Sequence, residues 1–143
     1  MGYTIRLFTK APLGSLVPLQ AQMIQRGYHV QPAGTNQMDI FYTQEAAPLV
    51  VDLVDAGQDI TRREIQTFLQ RVSALGNEPD QGLVLDVLTR TQAIIMIGVP
   101  DDYDNAAPAL DDTLDIVSNA AEGLFQVDGE GFYDGNRLIL PLA

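Results

Sequence analysis

The residues of this chain whose types and spacing could do chemistry are mostly acids, gathered in three clusters. Asp111-Asp112-Thr113-Leu114-Asp115 has the DDxxD spacing that can hold magnesium against a diphosphate. A diphosphate also needs Lys or Arg beside it, and the chain has a single lysine, Lys10. At helical spacing Asp111, Asp115 and Glu122 fall away from Leu110, Leu114 and Val117, which is the pattern of a solvated face above an apolar one. Asp128-Gly129-Glu130-Gly131-Phe132-Tyr133-Asp134 begins like a calcium loop. Its fifth position offers Phe132 where an oxygen ligand is needed, and its twelfth offers Ile139 where a bidentate Glu belongs. Acids followed by glycines read instead as turn residues. Asp101-Asp102-Tyr103-Asp104-Asn105 precedes a helix, where carboxylates meet the positive end of the dipole and can cap it. No metal site is expected from any of the three.

Other reactive constellations are missing from the pattern. His29 is the only histidine, in a strand between Tyr28 and Val30, and no nucleophile or orienting acid stands beside it in sequence. With no cysteine, thiolate chemistry, disulfides and Cys-based metal sites are excluded. Gly14, Gly27, Gly34 and Gly57 are isolated, so no phosphate-cradling loop forms and no nucleotide cofactor has a seat. The arginines are scattered, with only Arg62 and Arg63 adjacent, which argues against nucleic acid as a partner. No catalytic residue and no cofactor are expected, and the chain leans away from being an enzyme.

The elements that must position these residues follow from hydrophobic period and turn chemistry. Tyr3 to Thr9 alternates as a strand, and a helix capped by Ser15 carries Leu16, Leu19, Met23 and Ile24 up to Gly27. Tyr28 to Pro32 and Gln37 to Thr43 are strands joined through Ala33-Gly34-Thr35-Asn36, and Pro48 to Asp55 is a further strand. Thr61-Arg62-Arg63-Glu64 is a capping box opening a helix that Gly76-Asn77 ends. Pro79 suits the first turn of another, running to about Thr89. Ala93 to Val99 is apolar on both faces, as a strand can be only where both faces are covered or it lies centrally. A helix from about Ala107 to Ala121 follows, and strands at Leu124 to Asp128 and Arg137 to Leu140, paired around a short Phe132-Tyr133 segment, complete the chain, with positive φ expected at one or more of Gly123, Gly131 and Gly135.

This order predicts one α+β domain over residues 1–143. Its sheet is mixed and largely antiparallel, built from two β-α-β-β halves (about 1–55 and 92–143) in a ferredoxin-like manner, with a helical segment over 58–90 and the helices packed on one face. A chain of 143 residues is long enough for one core, burying roughly 70% of its unfolded surface. The apolar run Ala11 to Met23 is broken by Pro12, Gly14 and Pro18, unlike a signal peptide, and Met1-Gly2 lacks the Ser or Thr at position six that myristoylation wants. No run reaches ~20 apolar residues, so no membrane span is expected and a cytoplasmic location is.

Charge supplies the functional expectation. Met1 to Asn77 holds six acids and six bases, while Glu78 to Ala143 holds thirteen acids against Arg90 and Arg137, so the formal charge of −11 sits on the second half. Asp101, Asp102, Asp104, Asp111, Asp112, Asp115, Glu122, Asp128, Glu130 and Asp134 are therefore the candidate contacts for a basic protein partner. The helix bearing Asp111, Asp112 and Asp115 has no Lys or Arg, so like charges repel along it. A one-signed surface speeds encounter with a basic partner and repels nucleic acid and anionic lipid. An inhibitor or immunity-type protein of bacterial or phage origin fits that description. The alternatives are a small-molecule or catalytic domain using Tyr28, His29, Tyr42, Tyr103 or Tyr133 as polar handles, and a structural homodimer joined at an edge strand.

Overall fold

The computed structural model describes residues 2–43 and 46–142, with the side chain of Tyr103 outside the description. The element order is β1 (Tyr3–Thr9), α1 (Val17–Gln25), β2 (His29–Pro32), β3 (Gln37–Phe41), β4 (Leu49–Asp55), α2 (Asp59–Ser73), α3 (Gln81–Thr89), β5 (Ala93–Val99), α4 (Tyr103–Ala120), β6 (Gly123–Val127), β7 (Gly131–Asp134) and β8 (Arg137–Pro141). The strands form one sheet in the order β2-β3-β4-β5-β1-β6-β7-β8. Every ladder is antiparallel, so the sheet is α+β as expected but not mixed.

Alternation along the central strands divides the apolar residues between two cores. Ile5 and Leu7 of β1 with Ala93, Ile95 and Ile97 of β5 face Leu16, Leu19 and Met23 of the α1 segment and Ala109, Leu110 and Val117 of α4. Phe8 and Ile94 point the other way, against Phe68 and Val72 of α2 and Val84, Val87 and Leu88 of α3. The helices therefore cover both faces, which corrects the expectation that they share one. The reason was already present in Ala93 to Val99: a strand apolar on both sides must be sealed on both sides. On the second face Phe8, Phe68 and Phe132 pack ring against ring at 5.6 to 6.1 Å.

The element order on either side of α2 and α3 is β-α-β-β-β, one strand more than the expected β-α-β-β, and the sheet does not repeat it. In the first half β4 lies next to the centre and β2 at the edge; in the second, β6 lies next to the centre and β8 at the edge. The two three-stranded meanders thus hang in opposite senses.

Three local expectations need correcting. Thr61 does not cap α2, which begins two residues earlier at Asp59 with Gln58 as N-cap. Thr61 is buried inside the helix, and Glu64 is drawn to Arg6 of β1 at 2.7 Å. For α1 the N-cap is Leu16, although the Ser15 hydroxyl does accept the Val17 N–H at 3.3 Å. At α4 the N-cap Asp102 makes no side-chain cap, and the helix starts at Tyr103 with Pro108 inside it. Gly131 and Gly135 have φ of 137° and 60°. A Cβ at Gly131 would stand 2.2 Å from the Leu140 carbonyl oxygen, so the bulged β7–β8 ladder requires glycine there.

Candidate functional site

The acids of the second half separate into those that hold the fold and those that face open space. Arg26, just beyond α1, donates to Asp112 at 2.8 Å and Asp115 at 2.7 Å, and the Tyr28 hydroxyl donates to Asp112 at 2.5 Å. The Tyr28 hydrogen bond, helped by Arg26, holds the Asp112 carboxyl below its usual range despite partial burial. Burial and the Asp112 contact push the Tyr28 hydroxyl up to about 12. This network ties α1 to α4. It also answers the repulsion expected along α4, because the missing cation arrives from another helix.

Asp128 is similarly engaged, accepting from Arg6 Nη1 at 2.8 Å, Gln126 Nε2 at 3.2 Å and the Thr4 N–H at 3.2 Å. Burial raises its carboxyl, but the Arg6 and Gln126 hydrogen bonds outweigh that and leave it below the usual range. Arg6 also bonds Glu64 and Gln126 and lies 5.1 Å over the Phe68 ring, so this one cation joins β1, β6 and α2. Glu130 accepts from the Tyr133 hydroxyl, and Asp102 accepts from Asn105 Nδ2. Asp101 and Asp104 are exposed around the start of α4. Glu122 lies past the end of the helix expected to carry it, in the connection to β6.

Asp111, Asp115, Glu122 and Asp134 border a groove instead. Because α1 and α4 cover this face only from β3 to β1, Phe125 and Val127 of β6 and Tyr133 of β7, beyond α4, are no more than half-buried. A groove of about 640 Å³ runs there, lined by Leu114, Asp111, Asp115 and Ser118 of α4 on one side and by Ile5, Phe125, Val127 and Tyr133 of the sheet on the other. It adjoins a space of about 400 Å³ at the end of the sheet, around Ser118, Phe125, Glu122, Asp134 and Lys10, that also reaches Leu124 and Val87 of the second core. Leu138 pairs with Tyr133 and so faces the same way, 42% exposed. The floor is apolar and the rim acidic. Asp115 is held by Arg26, Lys10 stands at the far end and Asp134 lies opposite Arg137 in the β7–β8 ladder, so Asp111 and Glu122 carry the rim's excess charge.

Comparison with protein-family models, curated proteins and solved structures finds no match. The groove's chemistry therefore has to be read from its own residues. Of the polar handles anticipated from sequence, Tyr133 lines it. Tyr28 belongs to the α1–α4 tie, and His29 stacks on Phe41 at 5.4 Å on the opposite face of the sheet. The Tyr42 hydroxyl is buried with no hydrogen-bond partner among the described residues, and burial, with Asp102 nearby, raises it. The Tyr103 side chain lies outside the described residues. No three His, Asp or Glu side chains among the described residues gather in a way that could hold a metal, and no helix among them is long and apolar enough to cross a membrane.

The groove itself was missed by sequence reasoning, although its signal was present. Phe125 and Val127 put an apolar stripe on the face of β6 opposite Leu124 and Gln126, and the element order supplies too few helices to cover both faces along the whole sheet.

Proposed function

We propose that this chain is a non-enzymatic, cytoplasmic interaction module that binds a basic protein partner at the groove between α4 and β6–β7. The observation that carries this reading is the pairing of a half-buried apolar lining (Phe125 and Val127 of β6, Leu114 of α4) with exposed acids around it (Asp111, Glu122, Asp134). Burial of the floor would supply affinity, and the rim would speed approach and select for positive charge. Acids that merely conferred solubility would have no reason to border the half-buried apolar part of the sheet. An inhibitor or immunity-type protein, or an antagonist of a defence protein, is the kind of molecule that acts this way on a basic target.

The test uses a basic partner captured from the native host. Asp111→Asn, Glu122→Gln and Asp134→Asn together leave the Arg26 and Arg6 networks intact, so the fold should be unchanged by circular dichroism. The association rate should fall at ~50 mM salt and converge with that of the parent protein near ~200 mM, where screening is stronger. An unchanged rate and salt slope would show that the acids serve solubility alone.

A further inference from the structure

Resting on that reading, we infer that the partner element received by the groove is an amphipathic basic α-helix, laid beside α4 across β6 and β7. The first argument is hydrogen bonding. Beneath the groove β1 pairs with β6, β6 with β7 and β7 with β8, so the floor offers side chains and no free ladder of N–H and C=O groups. An extended peptide pressed onto it would bury its own backbone without partners, whereas a helix satisfies its backbone internally. The second argument is space. On this face α1 already packs beside α4, and the half-buried area on the other side of α4 is the next position for a helix, at the usual 8–10 Å between axes.

Charge sets the length and polarity of the occupant. Asp111 stands at one end of the groove and Glu122, just past the last residue of α4, at the other with Asp134 of β7; the stretch of α4 from Asp111 to Ala120 spans roughly 13 Å, or about two and a half helical turns. A fitting helix carries apolar residues at i, i+3 or i+4 and i+7 against Phe125, Val127 and Leu114. Lys or Arg sits at both ends of that stripe.

The probe is a fluorescein-labelled synthetic peptide of about four turns with a leucine stripe flanked by lysines, measured by anisotropy against two peptides of identical composition, one scrambled and one alternating as a strand. The helical peptide should bind at least about tenfold tighter than either control and gain helicity in the complex. Ser118→Trp places a ring in the waist of the groove at an exposed position. It should weaken the helical peptide about tenfold while leaving its salt dependence unchanged. Equal binding of all three peptides, lost in the Asp111, Glu122 and Asp134 variant, would overturn the helix and leave the basic-partner reading standing. Failure of the helical peptide to bind, or a concentration-dependent dimer of the free protein abolished by Ser118→Trp, would also overturn it. In either case the host partner's association kinetics still judge the broader reading separately.

Discussion

The sheet is left uncovered at both ends, on opposite faces, and the two bare areas differ in kind. At the β2–β3 end the residues facing away from α1 and α4 include His29, Gln31, Gln37, Asp39 and Phe41, a polar surface with one aromatic stack. At the β6–β8 end they are Phe125, Val127, Tyr133 and Leu138, bordered by Asp111, Glu122 and Asp134. A polar sheet face is satisfied by water and asks for nothing further. An apolar one with an acidic border costs solvation unless something covers it, and the border states what sign that cover carries. Uncovered backbone geometry is common to both ends, so side-chain choice alone separates a finished surface from a receptive one.

The largest test of this contrast lies on a single strand. Phe132 and Tyr133 are consecutive on β7, and alternation sends Phe132 into the sealed aromatic core and Tyr133 into the groove. Phe132→Ala should cost about 3–5 kcal/mol in denaturant unfolding. Tyr133→Ala should leave the melting temperature nearly unchanged while weakening a partner that uses the groove. Comparable losses of stability would mean that the groove is part of the core.

A smaller effect is expected at the tie between the helices. Because Tyr28 and Arg26 hold Asp112 below its usual range, the folded state releases that proton more readily than the unfolded chain. The resulting stabilisation is present above the ordinary carboxylate range and is lost as pH falls through the lowered folded value. Asp112→Asn should therefore lower the melting temperature at neutral pH and make no difference in strong acid. Tyr28 works in the opposite sense, its contribution holding up to the ordinary tyrosine range and fading as pH rises through about 12, which absorbance of tyrosinate would follow.

The smallest effect belongs to the polar end. Burial raises the Asp52 carboxyl, Gln37 pulling it down and Asp39 adding to the rise, so ionisation of Asp52 opposes folding. Asp52→Asn should stabilise the protein at neutral pH and make no difference in acid, as chemical unfolding at the two pH values would show.

Much of this molecule was readable in its residues, and the unread part has a common cause. Period and turn chemistry located seven of the strands to within a residue or two, but β7, expected only as a short segment around which β6 and β8 pair, is a strand that separates them. Local capping signals misled where the helix opened elsewhere: α2 begins at Asp59, so Thr61 lies buried within it and Glu64 pairs with the distant Arg6. The same holds for the acids of α4: Asp112 and Asp115 look like a bare charged face until α1 delivers Arg26 from 86 and 89 residues away. Pairings of that range depend on the sheet order, which no local pattern encodes. The groove is likewise a property of which strands the helices fail to cover.

The most direct measurement is a chemical-shift map of the isotopically labelled protein titrated with its basic partner, comparing the two bare ends of the sheet in one experiment. The account predicts shifts at Leu114, Ser118, Phe125, Val127 and Tyr133, with His29, Gln31, Asp39 and Phe41 undisturbed, and weaker shifts as salt rises from ~50 to ~200 mM. Shifts centred on His29 and Phe41, or spread over both ends alike, would contradict it.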